Sequence, residues 1–511
     1  MDTLMSNETL FPRDNFSPSP QEEKKEKGEP RIRKVDRRQM VFHPVEIDRL
    51  IPDDHEARAI WELTGSLDLS RYYEQVDARE GTAGAPAFDP RLLVSLWVYS
   101  YSRGISSARE IERLSEYDPA YQWLTGLRPV NYHTLADFRC THKDSLHALF
   151  VEVLAMLASE GLVTMERVMH DGTRIKASAG KDTFRGERSL LEHLAWAEIQ
   201  VKALEGVSEE ETMPRIKKAR ERAARERKER LAHALNELEK IKSQKKGPHM
   251  RVSITDPDCR IMSQSDGGLA PSYNVQISTD AREKVVVGVG VSQSPADQSL
   301  LPSAIDTMEK TYGIPNQVVV DTGFTTREAI VTAYERGIDL FGSFPGSKAG
   351  KMTTLARAGI SEAFYPECFR FDRERNIYIC PEEKRLDPNG KSVYTGKTVF
   401  RYKGKECSCC PAKPSCCPTS KRRSITRTEN DATVITFLEK MQTDEAKAIY
   451  RQRAEVAEFP NAWIKAKFGL RQFRLRGLVK TGMEALWACL TYNVKLWIRL
   501  CWKPRLVAST P

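Results

Sequence analysis

Hydrophobic and polar positions change their period several times along the chain. Up to about residue 40 (SPSPQEEKKEKGEPRIRKVDRRQ) the sequence mixes charge and proline with little to bury, which predicts a disordered arm over 1–40. Over 41–162 the period is helical. PRLLVSLWVYSYSRG puts apolar residues around most of a buried helix, and ISSAREIERLSEY follows with Ser106 or Ser107 as N-cap. NYHTLADFRCTHKDSLHALFVEVLAMLASEG continues in the same period. Short helices joined tightly fit a helix-turn-helix as well as an ordinary bundle. At Val163 the alternation becomes strand-like in VTMERVMHDGTRIKAS, with Asp171 in its middle. Residues 184–249 are then strong helix formers broken at GVSEEETMP, an antiparallel helical hairpin. Its second arm is mostly solvated, with Ile216, Leu231, Leu235, Leu238 and Ile241 on a narrow apolar face.

Strands return in SYNVQISTD and EKVVVGVGVSQS. A helix, DQSLLPSAIDTMEKTYG, leads to the buried strand of IPNQVVVDTGF, which ends in Asp321. TTREAIVTAYERG is helical, and IDLFGSFPG reads as a fifth strand. Residues 360–425 show no clear period and crowd with cysteine, and 430–502 is helical again before a short tail, 503–511.

Composition sharpens this picture in two places. The 511 residues carry a net charge of +9, but from Lys447 to Pro511 there are 13 Lys and Arg against three acids, Glu455, Glu458 and Glu484. A basic excess confined to one segment favours a polyanionic partner, nucleic acid first. Arg471, Arg474 and Arg476 are the candidate phosphate contacts, while Trp463, Phe468, Phe473, Trp487, Tyr492 and Trp497 read mostly as core. Seven of the eleven cysteines lie between Cys368 and Cys417, a crowding that reads as metal before disulfide in a chain with no secretory signal. No stretch approaches the apolar length of a membrane span, so membrane partners are set aside and a cytoplasmic location is expected.

Three acids then stand out. Asp171 lies in one strand, Asp321 at the carboxyl end of another, and Glu458 in the helical segment AIYRQRAEVAEFPNAWIK. The element order, three strands, helix, strand, helix, strand and later helices, is that of a ribonuclease H-like domain. In that fold the first two carboxylates face each other and a later helix supplies a third. Such a cluster suits Mg²⁺, a hard ion that takes oxygen ligands. Two ions about 3.5–4 Å apart serve phosphoryl transfer by acting on both the attacking and the leaving oxygen. Glu455 is the competing third acid. On a helix it sits about 60° from Glu458, and Pro460 predicts a kink that aims Glu458 inward. His170, beside Asp171, is expected to be a structural strand residue rather than a base.

HDGTRIKA, SYNVQISTD, VVVDTGF and the signature Y-x2-R-x4-E-x6-K (Tyr450, Arg453, Glu458, Lys465), followed by GLRQFRLRGL, resemble the DDE-type bacterial insertion-sequence transposases. FDPRLLVSLWVYSYSRGISSAREIERL and YHTLADFR are similar to the helical N-terminal domain of one branch of them, so the resemblance runs from about His43 to Trp497. Thr322 and Phe324 depart from the family's usual small residue and tyrosine, and Asn461-Ala462 from its usual Phe-Gly. The resemblance implies an α/β fold: a ribonuclease H-like catalytic domain (163–183, 250–345, 430–502) with an α-helical DNA-binding domain at 41–162. A helical-hairpin insertion (184–249) and a cysteine-rich insertion (346–429) complete it. It implies Asp171, Asp321 and Glu458 as the Mg²⁺ (or Mn²⁺) triad, with two ions, and Tyr450, Arg453 and Lys465 on transposon-end DNA near the scissile phosphate. The same branch carries a cysteine-rich insert, and Cys380, Cys407, Cys410 and Cys416 (C-x26-C-x2-C-x5-C) suit a tetrahedral Zn²⁺, with Cys409 and Cys417 as alternative ligands. The expected activity is binding of terminal inverted repeats, metal-dependent cleavage and strand transfer into target DNA, by a homodimer in the synaptic complex. The alternatives are a nuclease of the same fold that only hydrolyses and an inactive or domesticated sequence-specific DNA-binding protein.

Overall fold

The computed structural model describes residues 44–78, 85–205, 214–244, 250–344, 355–372, 374–394, 397–428 and 431–509. The arm and nearly all of the hairpin's break lie outside these residues. Residues 1–46 form one unit and Ile47–Pro511 the other, which holds everything that follows.

The N-terminal helices are α1 (Glu56–Ser66), α2 (Ser70–Tyr73), α3 (Pro90–Ser102), α4 (Ala108–Tyr117), α5 (Pro119–Thr125), α6 (Tyr132–Thr141) and α7 (Lys143–Ser159). Their starts are written locally. Asp89 accepts from the Arg91 amide ahead of Pro90, Asp118 from Ala120 and Tyr121 ahead of Pro119, and Asn131 from Thr134. Ser107 is the N-cap position of α4 but makes no side-chain cap bond. Helix α3 is apolar around most of its circumference, and Trp97 at its centre is fully buried, its indole donating to the Leu135 carbonyl.

The first strand, β1 (Arg167–Lys176), is followed by β2 (Phe184–Arg185), α8 (Glu187–Glu205), α9 (Pro214–Gln244) and β3 (Val252–Ser253). Helices α8 and α9 pack along Leu190, Ala197, Leu231, Ala234 and Leu238, with Leu235 and Ile241 partly covered. Ile216 departs from the expected apolar face: it is exposed, one turn into α9 and beyond the seam.

Next come β4 (Arg260–Ser263), β5 (Leu269–Asp280), β6 (Val286–Ser292), α10 (Leu301–Thr311), β7 (Gln317–Val320), α11 (Arg327–Glu335) and β8 (Asp339–Gly342). Among the described residues these build a six-stranded sheet ordered β4-β5-β1-β7-β8, with β6 beyond β4 on the same edge of β5. Strand β5 is antiparallel to β1, while β1, β7 and β8 are mutually parallel.

Residues 370–428, without a readable period, form a second antiparallel sheet: β9 (Arg370–Asp372), β10 (Ile377–Ile379), β11 (Arg385–Tyr394), β12 (Lys397–Gly404) and β13 (Ser424–Thr428). Its small core holds Phe364, Phe369, Tyr378, Leu386, Tyr402 and Ile425. Alternation fails as a guide because β11 is largely exposed and its pairing with β12 shifts register between Pro388 and Lys391.

The chain closes with α12 (Asp431–Lys440), α13 (Asp444–Arg451), α14 (Arg453–Ala466), α15 (Leu478–Trp497), a π-helical turn (Ile498–Trp502) and α16 (Lys503–Ser509). Helix α14, in which a kink or restart was expected at Pro460, runs continuously through that buried residue. Helix α15 is the hub, packing on β6, α3 and α7. One hydrophobic core therefore runs from Leu63 and Trp97 through Val318 and Val320 to Trp487 and Trp497, crossing position 162 without a break. No described helix is long and apolar enough to cross a membrane.

Candidate active site

Strands β1 and β7 run parallel with His170 opposite Val320, so the next residue on each, Asp171 and Asp321, stands beside the other. Side chains alternate along a strand, which puts Asp171 on the face of Met169 and Asp321 on that of Val319. Met169 and Val319 share a cluster with Ala446 and Ile449 of α13 and Val456 and Ala457 of α14. The two carboxylates therefore open toward α14.

Helix α14 meets them with a stripe at i, i+4 spacing: Arg453, Ala457, Asn461 and Lys465. Arg453 lies 3.6 Å from Asp321 Oδ1 and over the Tyr450 ring. Asn461 Nδ2 donates to Asp171 Oδ2 and to the Ala457 carbonyl, each at 3.2 Å. Burial holds the Asp171 carboxyl above the usual range, and the Asp321 charge adds to this, while the Gly172 amide and Arg453 oppose it. Burial depresses Lys465, against the pull of Asp171. A buried acid beside a second acid is a place where an added cation relieves repulsion, and an all-oxygen donor pair fits a hard divalent ion.

Glu458 lies one position round α14 from that stripe and is exposed. Among the described residues, the group of three whose ligand atoms close to within 4.8 Å is His233, Glu237 and Asp258; Asp171, Asp321 and Glu458 are not drawn that close. Glu237 there is already satisfied by Lys240, Arg260 and Gln293, so this cluster is an ion-pair network tying α9 to the loop before β4. Glu455 points to the surface, its side chain 80% exposed and 2.9 Å from Lys284.

The arginine-rich loop after α14 is docked onto β1. Lys176 N donates to the Arg471 carbonyl and Phe473 N to the Lys176 carbonyl, with Phe473 buried edge-on to Tyr273. Buried Glu484 of α15 accepts from the Arg474 and Leu475 amides. Arg471, Arg474 and Arg476 are thereby held exposed beside the strand that carries Asp171, with single hydrogen bonds to the Lys465 carbonyl, Ser106 Oγ and the Ser178 carbonyl. Phe468, Phe473, Trp487, Tyr492 and Trp497 are buried.

His170 points the other way. Fully buried, it bonds Ser278 Oγ and Gln276 Oε1 at 2.9 Å each and meets Phe324 edge-on, and burial pulls its pKa down to about 4. A neutral imidazole with both nitrogens occupied is a structural strand residue.

In the second sheet, Cys380, Cys407, Cys410, Cys416 and Cys417 line one pocket. Cys380 Sγ accepts from the Lys384 amide at 3.3 Å and Cys407 Sγ from the Arg423 amide at 3.4 Å. Burial pushes the Cys416 thiol up to about 12, with Cys417, Cys407 and Cys380 adding to it. Amide donors aimed at sulfur favour thiolates, so the donor set fits a soft ion, although three sulfurs are not drawn within 4.8 Å of one another.

Reading the sequence alone misses Asn461 as a partner of Asp171, Glu484 as the anchor of the arginine loop, and Asp297, which lies close enough to raise Asp171 further. Glu484 had a signal: a lone acid inside the apolar run MEALWACLTYNV must be buried and matched. Asp297 had none beyond its place before a helix.

A transposase DDE domain family model matches residues 379–498, the segment holding the cysteines, Tyr450, Arg453, Glu458 and Lys465. A second, a transposase domain designated DUF772, matches residues 45–140, helices α1 to α6. No curated protein matches. Among solved structures the chain is similar to the piggyBac transposase of a synaptic complex with hairpin DNA, at 11% identity over 92% of this chain and 84% of that one, with a TM-score of 0.23. Both transposase models match in order along the chain, which supports a DDE-type insertion-sequence transposase, an enzyme of DNA transposition.

Proposed function

We propose that this transposase binds the terminal inverted repeats of its element, cleaves the phosphodiester at each end in a metal-dependent reaction, and joins the freed 3′-hydroxyl to target DNA. The observation that carries the reading is the pair Asp171 and Asp321, side by side on parallel strands under a helix that bears Arg453, Lys465 and Glu458. The sheet order β4-β5-β1-β7-β8, with β5 alone antiparallel among its three inner strands, supports a ribonuclease H-like catalytic core.

Asp171, Asp321 and Glu458 would hold Mg²⁺ or Mn²⁺. A pair of such ions, if bound there, would supply activation of the attacking oxygen and stabilisation of the leaving one. The chain's own residues do the rest. Arg453 covers Asp321 until phosphate arrives, and Tyr450, Arg453 and Lys465 orient the scissile strand. Arg471, Arg474 and Arg476 grip the backbone beyond it, which positions DNA without reading sequence. Synapsis of two ends requires a homodimer, acting on the bacterial nucleoid, and a Zn²⁺ held by Cys380, Cys407, Cys410 and Cys416 would close the second sheet.

One assay tests this. End-labelled DNA carrying candidate repeats is incubated with Mg²⁺ or EDTA and scored for nicked and joined products. Joined products that require Mg²⁺ support the reading. Cleavage without joining makes the protein a nuclease, and binding without cleavage a DNA-binding relative.

A further inference from the structure

Behind Asp171, on the opposite face of the sheet, a row of polar side chains runs along β1 and β5. His170 Nε2 meets Gln276 Oε1, Gln276 Nε2 donates to Asn274 Oδ1 at 2.9 Å, and Asn274 Nδ2 donates to Asp297 Oδ1 at 2.6 Å. Arg174 Nη2 closes the row on Asp297 Oδ2 at 3.1 Å. The Asp297 side chain is 16% exposed and comes from the loop between β6 and α10.

Asp297 sits against two glycines, Gly172 directly after Asp171 and Gly323 two residues after Asp321. A Cβ on Gly172 would lie 2.8 Å from Asp297 Oδ1, and one on Gly323 would lie 3.6 Å from Asp297 Cβ and Oδ2. The Gln276 amide crowds the same space, with Nε2 at 2.7 Å, so a side chain at Gly172 would have to displace both groups. The loop thus places one group next to the chain just beyond Asp171 and just beyond Asp321, at the point where β1 and β7 are no longer paired.

We infer that Asp297 is a positioning residue that fixes the separation of Asp171 and Asp321 by wedging its carboxylate between Gly172 and Gly323, with Arg174 and Asn274 holding it there. The inference rests on Asp171 and Asp321 being metal ligands. Groups that orient ligands from behind matter for affinity because a divalent ion binds best when its donors are fixed in advance.

The test uses the full chain and a readout independent of turnover: Mn²⁺ bound without DNA, from the free-ion signal in electron paramagnetic resonance. Asp297→Ala and the isosteric Asp297→Asn are compared with the parent and with Asp321→Asn, with thermal melting and repeat binding alongside. Asp297→Ala is expected to keep its fold and repeat binding but to lose Mn²⁺ affinity by about 10- to 100-fold, and to need correspondingly more Mg²⁺ for cleavage. Mn²⁺ affinity within about twofold of the parent in both Asp297 variants, with Asp321→Asn impaired, overturns the inference and leaves the metal site standing. Failure of both Asp297 variants to fold overturns it too, making the residue one of folding. Undiminished Mn²⁺ binding by Asp321→Asn overturns the metal-site reading and this inference with it.

Discussion

Glu455 and Glu458 are three residues apart on α14 and differ in what they can do. Glu455 is spent on Lys284 at the surface, where an exposed pair is worth roughly 0–1 kcal/mol. Glu455→Gln should therefore keep most cleavage and nearly all stability. Glu458 faces the side of α14 that Lys465 occupies two turns on, seven residues or about 20° away. Glu458→Gln should lose cleavage with Mg²⁺ and with Mn²⁺ alike, on protein shown by circular dichroism and gel retardation to be folded and DNA-binding. The reverse pattern would move the third carboxylate to Glu455. Asp321→Asn makes the companion case. It should abolish Mg²⁺-dependent nicking while repeat binding persists, because affinity rests on phosphate contacts elsewhere; nicking at the parent rate would remove Asp321 from the site.

Among the elements, the loop between α14 and α15 shows most directly how packing prepares a surface. Three arginines cannot hold one another, so the loop is anchored from below by Phe473 against Tyr273 and by Glu484 under the Arg474 and Leu475 amides. Glu484→Leu leaves those amides without their acceptor and should cost about 1–3 kcal/mol in denaturant unfolding, with weaker DNA binding. Burial holds the Glu484 carboxyl above the ordinary glutamate range, and Arg139 works against it. A carboxyl that keeps its proton more tightly when folded makes the fold less stable as pH rises from the unfolded-state value through the raised one. Relative to Glu484→Gln, the parent should lose stability across that window and change no further above it; melting curves that stay parallel through mildly acidic pH would refute this. The cysteine sheet is the other element with its own test. If Cys380, Cys407, Cys410 and Cys416 hold an ion, reduced and folded protein should contain about one equivalent of zinc. Cys380→Ser should loosen this sheet without altering the chemistry, and metal analysis finding none would end the proposal.

At the scale of the whole molecule, the basic excess and the carboxylates occupy one neighbourhood because loop 470–477 docks on the strand that carries Asp171. The predicted consequence is a salt dependence. For each of Arg471, Arg474 and Arg476 that meets phosphate, replacement by alanine should lessen the slope of log affinity against log salt by about 0.9, equally for repeat and unrelated duplexes. A loss confined to the repeat sequence would make these arginines readers of bases. The N-terminal helices belong to this scale too. Arg474 bonds Ser106 ahead of α4, so the helices matched by the transposase-domain model and the arginine loop share one surface.

The sequence by itself determined five strands of the main sheet (β1, β5, β6, β7 and β8), the helical hairpin and the burial of most of the tail's aromatics, because alternation, helical period and capping residues such as Asp89, Asp118 and Asn131 are local properties. It also singled out Asp171 and Asp321, since an acid within a strand and one ending a buried strand contradict their apolar neighbours. Only the tertiary structure decided which groups meet them. Asn461 reaches Asp171 across 290 positions and Arg174 reaches Asp297 across 123, distances over which no pattern carries information. Pro460 is a case of context acting against propensity: buried packing keeps α14 helical through a residue expected to kink or restart it. The second sheet stayed hidden for the opposite reason. Its longest strand, β11, buries too little to write an alternation, and Cys380 joins Cys407, Cys410, Cys416 and Cys417 in one pocket only after the chain has folded.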